Sequence, residues 1–366
     1  MIKPQNILLL TSKTGGGHIS LSEALRDRLE QRYALEMVDP QPHFFHFHYR
    51  LLSRYALWLW SAEFRLSDTP HKALFAHRLF TPLVAGELKR TIERLQPVMI
   101  ITTYPFLTYE VMQVLTDINA HIPFVMLFAD PNGVHASWLT ERRASAVLAP
   151  TQETYEQALA SGFDAQRLHL VGWPVRAQFV HAASVVRRNE LLTKLGLNPA
   201  RFTIFLQGGG EGAAQFGRTI ERVLAIGEQL QVILATGTNR SLLTRFKSVR
   251  NLYALPFTKE IAPFMAAADV IMGKAGPNVL FESVTLGKPF IVTAYIPGQE
   301  EANLEFIRRH QLGWIALEPE QQRTLLMKLS ADSGELRAMA ETVEKYRQWN
   351  ADANERLVPL LEELLE

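Results

Sequence analysis

The sequence predicts an α/β chain with two Rossmann-like parallel-sheet domains facing a central cleft. Three observations carry that prediction. Short apolar runs alternate with stretches of helical spacing almost throughout, the alternation starts afresh in the second half, and glycine-rich turns follow apolar runs in both halves. Such alternation implies parallel strands joined by right-handed crossovers, with ligands at the carboxyl ends of the strands.

Residues 6–11 are apolar and continuous, as in a strand buried on both faces. Residues 20–32 then take helical spacing at Leu21, Ala24, Leu25 and Leu29. A second strand at 35–38 ends at Asp39-Pro40, and strands at 97–102, 124–128 and 146–149 continue the pattern. A boundary falls near Gly172-Trp173-Pro174, followed by a polar, helical stretch at 175–198. Strands are then expected at 202–206, 232–235, 252–255, 270–272 and 289–293. The tail after Asp332 is charged and helical, with an aromatic break at Tyr346-Arg347-Gln348-Trp349. The expected domains are residues 1–174 and 175–348, with 349–366 as a helix returning to the first.

A chain of 366 residues is comfortable for two cores. A formal net charge of +1 gives no argument for nucleic acid. The absence of cysteine excludes disulfides, thiolate catalysis and cysteine-ligated metals. Residues 1–10 read as a first buried strand rather than a signal peptide, and no run of about 18 apolar residues predicts a spanning helix.

The stretch from Gln41 to Pro82 is unusual. It holds Phe44, Phe45, Phe47, Tyr49, Tyr55, Trp58, Trp60, Phe64, Phe75 and Phe80, and five basic residues against two acids. Aromatic and basic residues mixed on helices suit the interface of an anionic membrane. An inserted helical hairpin whose aromatics are simply core is the alternative.

Two turns carry the chemistry. Gly273-Lys274-Ala275-Gly276-Pro277-Asn278 follows a strand and opens a helix, which presents N–H groups and the positive dipole end to a phosphate. Glu282, one turn in, can reach the ribose of the same nucleotide. Gly15-Gly16-Gly17-His18 also joins a strand to a helix. His18 there is a candidate general base, although a local capping role is the simpler alternative. The turn is neither Gly-x-Gly-x-x-Gly nor a Walker loop, so Asp39 at the end of the second strand gives only weak support for a dinucleotide. A third turn, Gln207-Gly208-Gly209-Gly210-Glu211-Gly212, suits a diphosphate or a moving lid. In Pro297-Gly298-Gln299-Glu300-Glu301-Ala302-Asn303, amide and carboxylate side chains can meet several sugar hydroxyls, or can merely cap a helix. Asp-x-Asp is absent, so the helix dipole after Gly276 would compensate a diphosphate leaving group.

With Gly172-Trp173-Pro174-Val175-Arg176, these motifs resemble, in order and over nearly the whole chain, the monogalactosyldiacylglycerol synthases and related processive diacylglycerol glucosyltransferases. Those are inverting, metal-independent transferases of the GT-B fold, in glycosyltransferase family 28. The resemblance implies His18 as catalytic base and Glu282 as ribose ligand. It implies Gly276, Pro277 and Asn278 at the diphosphate, and Gln299, Glu300 and Asn303 at the donor sugar. Phe257 and Thr258 fall beside the uracil, and Gly209, Gly210 and Gly212 complete the donor side. Gly16, Gly17, Tyr104 and His135 fall on the acceptor side, and residues 41–82 would engage lipid and bilayer. The sequence departs from the plant pattern at Ile19-Ser20-Leu21 and at Asn278-Val279-Leu280.

Asp130, at a strand end before Pro131-Asn132-Gly133, is a rival base, an acceptor ligand or an orienter of His18. His18 is favoured because its ordinary pKa lies nearer the working pH. The expected activity is inverting transfer of a hexose from UDP-galactose or UDP-glucose to diacylglycerol. No metal or other cofactor is expected, and the protein would sit peripherally on the cytoplasmic face of an anionic membrane. Transfer to another lipid or polyprenyl acceptor, UDP-sugar 2-epimerisation and non-catalytic sensing are the alternatives.

Overall fold

The computed structural model describes residues 5–14, 16–207 and 216–366. The chain divides into two compact units: residues 1–176, 296–302 and 349–366 form unit 1, and residues 177–295 and 303–348 form unit 2.

Unit 1 is built on β1 (Asn6–Leu10), β2 (Ala34–Val38), β3 (Met99–Thr102), β4 (Phe124–Leu127), β5 (Ala146–Ala149) and β6 (Leu168–Leu170). They pair in parallel in the order β2-β1-β3-β4-β5-β6. Leu8, Leu9 and Leu10 are fully buried, which is why β1 reads as an unbroken apolar run. Each such side chain stabilises the fold by about 2 kcal/mol. Helix α1 (Gly17–Leu29) buries Leu21, Ala24, Leu25 and Leu29. It starts three residues before the expected boundary because Gly16, at φ 78°, turns the chain into it. The crossover from β2 to β3 carries three helices, α2 (His43–Tyr55), α3 (Leu57–Ser67) and α4 (Pro70–Leu95). Helix α5 (Thr108–Asp117) follows β3.

Residues 349–366 complete unit 1. The Asn350 amide accepts from the Trp173 N–H at 2.7 Å and donates to the Trp173 carbonyl at 3.1 Å. Gly172 sits at φ 70°, and a Cβ there would meet the Asn350 carbonyl oxygen at 2.8 Å. Close approach and a left-handed backbone therefore both require glycine in the Gly172-Trp173-Pro174 motif.

Unit 2 repeats the plan with β7 (Phe202–Gln207), β8 (Leu230–Gly237), β9 (Leu252–Pro256), β10 (Val270–Lys274), β11 (Phe290–Ala294) and β12 (Gly313–Ile315). All are parallel, in the order β12-β11-β10-β7-β8-β9. Its core gathers Ile204, Leu206, Val232, Leu234, Val270 and Met272 with helix residues such as Ile220 and Leu326.

Sequence and structure differ elsewhere along the chain as well. β6 and β12 were not expected: each is a three-residue edge strand, half-buried over most of its length, with no apolar run to announce it. The stretch 175–198 is helical as expected and is divided into two helices, Ala177–Val185 and Arg188–Lys194. The expected aromatic break in the tail is absent, because helix Ser333–Glu355 runs straight through it. Tyr346 stays helical and packs its ring on Phe281, Phe306 and His310.

Candidate active site

The carboxyl ends of the unit 1 strands open on a cavity of about 410 Å3. That volume suits a small-molecule ligand. Phe45, Tyr49, Trp60, Phe64, Phe80 and Phe106 give it largely aromatic walls. His18, Tyr104, Asp130, His135 and Gln299 share the same cavity, although they come from four separate stretches of the chain.

His18 stands at the second residue of α1. Its Nδ1 lies 2.6 Å from the Thr103 carbonyl oxygen, which can only accept, so the proton sits on Nδ1 and Nε2 carries a lone pair. The Tyr104 ring packs edge-on against the imidazole with centroids 4.9 Å apart. Burial lowers the His18 pKa to about 4, against a smaller raising effect of the Thr103 bond. The imidazole is therefore neutral at neutral pH. Asp130 cannot orient it through Nδ1, because Thr103 holds that edge.

Asp130 follows β4. Burial raises its pKa to about 7, a hydrogen bond from Trp138 opposes that rise, and the negative charge of Asp68 adds to it. These shifts reverse the order of the two candidate bases: the carboxylate titrates near neutrality and the imidazole far below it. The preference for His18 rested on ordinary pKa values, and burial shifts both groups away from them.

Tyr104 hydrogen-bonds Ser12 and Thr14, and burial raises its phenol pKa. His135 is engaged on both edges. Its Nδ1 accepts from Ser137 N and Ser137 Oγ at 3.1 and 2.8 Å, so Nε2 carries the proton and faces Phe64 O and Ser67 Oγ at 3.2 and 3.3 Å. It ties the end of α3 to the turn at 135–138. Gly16 shapes the α1 cap, and Gly17 is the first residue of that helix.

In unit 2, Gly276 caps helix Pro277–Thr285 in an extended conformation, with Pro277 in the first turn and no side chain capping it. A glycine cap leaves the first turn open to an anion. Asn278 lies in that turn, and Glu282 is buried in the same helix. Phe257, just past β9, is exposed, and Thr258 Oγ1 accepts from Glu260 N at 3.1 Å. Asn303 Nδ2 donates to the Ala275 carbonyl at 2.8 Å, which braces the turn before Gly276.

Gln299 and Glu300 belong to unit 1. Glu300 is buried, and its Oε2 accepts from Ile296 N at 2.8 Å, so one carboxylate oxygen closes its own loop. Gln299 Oε1 accepts from Trp60 Nε1 at 3.0 Å. Gly209, Gly210 and Gly212 lie outside the described residues. Among the described residues, no three His, Asp or Glu side chains cluster as a metal site would require.

The segment 41–82 divides between both expectations. Phe45, Tyr49, Trp60 and Phe64 face the cavity, and Phe80 is buried. Trp58 (75% exposed), Tyr55 (73%), Phe47 (65%) and Phe75 (64%) face solvent, beside Phe44, Leu66, Leu79 and Leu83. No described helix is long and apolar enough to cross a membrane.

Two family profiles tile most of the chain. Residues 33–175 match "Monogalactosyldiacylglycerol (MGDG) synthase", and residues 203–348 match "Glycosyltransferase family 28 C-terminal domain". The probable monogalactosyldiacylglycerol synthase 2, chloroplastic, of Oryza sativa subsp. indica is 28% identical over 94% of this chain and 78% of its own length. Among solved structures, the glycotransferase of kitacinnamycin superposes with a TM-score of 0.66 at 14% identity over 100% of both chains. Anabaena Alr3699/HepE in complex with UDP-glucose gives a TM-score of 0.59 at 15% identity over 98% of this chain and 99% of that one.

Two parallel six-stranded sheets of this kind are the architecture of the GT-B glycosyltransferases. Within that class the chain belongs to the monogalactosyldiacylglycerol synthase family, in glycosyltransferase family 28.

Proposed function

We propose that this enzyme transfers a hexose, with inversion, from a UDP-sugar to the free hydroxyl of diacylglycerol. The observation that carries the proposal is the unit 1 cavity: aromatic walls suited to an acyl-glycerol, with Asp130 and His18 set on them. The apolar side chains exposed on α2, α3 and α4 suit a membrane surface from which such a lipid is drawn. Family membership supplies the donor and acceptor classes.

In this mechanism the ionised Asp130 carboxylate takes the hydroxyl proton. The acceptor oxygen bonds to the anomeric carbon as the bond from that carbon to the β-phosphate oxygen breaks, and UDP departs with the electron pair. The open first turn of helix Pro277–Thr285 receives the diphosphate, and Glu282 holds the ribose. Metal-independent turnover follows, and undiminished activity in EDTA is its check. His18 is the second reading for the base. It is favoured by one observation, the tautomer fixed by Thr103, which leaves Nε2 as an acceptor at the cavity.

The decisive assay presents purified protein with diacylglycerol liposomes and each UDP-sugar in turn. Products are resolved by mass and by anomeric coupling constant. A β-linked hexosyl-diacylglycerol is expected. UDP-sugar consumption that needs no lipid, yielding an epimer, would overturn the assignment.

A further inference from the structure

Residues 296–302, a short loop and the first two residues of helix Glu301–His310, are seated on α3. Three contacts fix them there. Trp60 Nε1 meets Gln299 Oε1 at 3.0 Å, and Arg65 pairs with Glu301 at 2.9 Å. Gly298 lies at φ 83°, so close to the helix that a Cβ would stand 3.2 Å from Ser61 Oγ. Trp60 is itself held, with the Tyr49 ring edge-on at 5.0 Å.

The first contact has a directional consequence. An indole N–H only donates, so the amide atom it meets must be the oxygen. The Gln299 NH2 is therefore placed on the other branch, as a donor of fixed direction. A glutamine without this partner could present either its carbonyl or its NH2 after a half-turn of its terminal torsion. Both side chains also line the unit 1 cavity.

We propose that Trp60 is a positioning residue for the donor sugar: it holds the Gln299 amide in the single orientation that offers NH2 to one sugar hydroxyl oxygen. This rests on the transfer reaction proposed above and on the family resemblance, which implies that Gln299 touches the donor hexose. A fixed donor reads where a hydroxyl oxygen stands, and the two candidate hexoses differ in the configuration of one hydroxyl. Trp60 thus contributes to sugar discrimination without touching the sugar itself.

The test uses the full-length protein with Trp60→Phe, Gln299→Ala and the double variant. Phenylalanine keeps a ring against Tyr49 and removes only the N–H. Trp60→Phe is expected to raise KM for the preferred UDP-sugar about three- to tenfold, the loss of one hydrogen bond, with kcat within about twofold. The preference between UDP-galactose and UDP-glucose should shrink, while the affinity for UDP alone stays at the wild-type value. The double variant should match Gln299→Ala, because Trp60 acts only through that amide.

Four results would overturn the proposal. One is an unchanged donor KM in Trp60→Phe while Gln299→Ala raises it, which leaves the sugar contact standing and removes Trp60 from it. Another is a parallel loss of UDP and UDP-sugar affinity, the mark of general damage. The third is multiplicative effects in the double variant, the mark of independent roles. An unchanged donor KM in Gln299→Ala would remove the sugar contact itself, and the role of Trp60 with it.

Discussion

The base assignment predicts a pH profile that separates Asp130 from His18. The perturbation is pH itself, read through kcat/KM, which reports the free enzyme. With the Asp130 carboxyl at about 7, about 9% of it is ionised at pH 6, about 50% at pH 7 and about 91% at pH 8. The ionised form is the base, so activity should rise about tenfold from pH 6 to pH 8. His18, lowered to about 4, is almost wholly in its basic form over that whole range and would give a flat profile there. Asp130→Asn keeps the shape of the side chain and removes the proton acceptor. It should lower kcat about 10²- to 10⁴-fold and abolish the limb near 7. The assay is initial-rate transfer to diacylglycerol liposomes in constant-ionic-strength buffers from pH 5 to pH 9. A profile flat from pH 5 to pH 8 in the wild type, with Asp130→Asn near full activity, would refute the assignment and return the role to His18. The limb depends on Asp68, whose charge raises the Asp130 pKa, and on Trp138, whose hydrogen bond lowers it.

Other expectations follow from separate features. Asn350→Ala removes the acceptor of the buried Trp173 N–H, and the orphaned donor should cost about 2 kcal/mol, seen as an earlier thermal or urea transition; an unchanged midpoint would show that the pair is dispensable. Phe47→Ser with Trp58→Ser removes two exposed aromatics and should weaken partition onto anionic vesicles roughly hundredfold in a sedimentation assay, while turnover on a detergent-dispersed acceptor stays near wild type. Equal vesicle binding by the double variant would exclude this face as the membrane surface. Glu282→Ala should raise the Kd for UDP about tenfold by calorimetry, as expected for lost ribose hydrogen bonds. Unchanged UDP binding would remove Glu282 from the donor site.

The fold was legible where physics makes a strand self-evident. β1, β4, β7 and β10 are buried over most of their length and so had to be written as apolar runs. β6 and β12 escaped because a three-residue edge strand borrows its stability from a neighbour and needs no apolar run. His18 was legible as a residue at a helix start and Asp130 as one at a strand end. Their acidities were not, since burial, Thr103, Trp138 and Asp68 act on them through tertiary contacts. Nor could the partner of Gln299 be read, lying 239 positions away. Its only trace was the density of aromatics around Trp60, which spacing alone does not divide between cavity wall, solvent face and hydrogen-bond donor.

The interleaved make-up of unit 1 bears on how this protein can be synthesised. Its sheet is finished by residue 170, yet Trp173 remains without its Asn350 partner until the last stretch of the chain exists. Arg28 of α1 likewise waits for Asn354, and the cavity waits for Gln299. The first half of the nascent chain must therefore leave the ribosome incomplete, carrying exposed apolar helices, while unit 2 is still being made. A fragment ending at 176 would lack these ties, and premature termination should give a protein prone to aggregation and proteolysis rather than a free-standing acceptor domain.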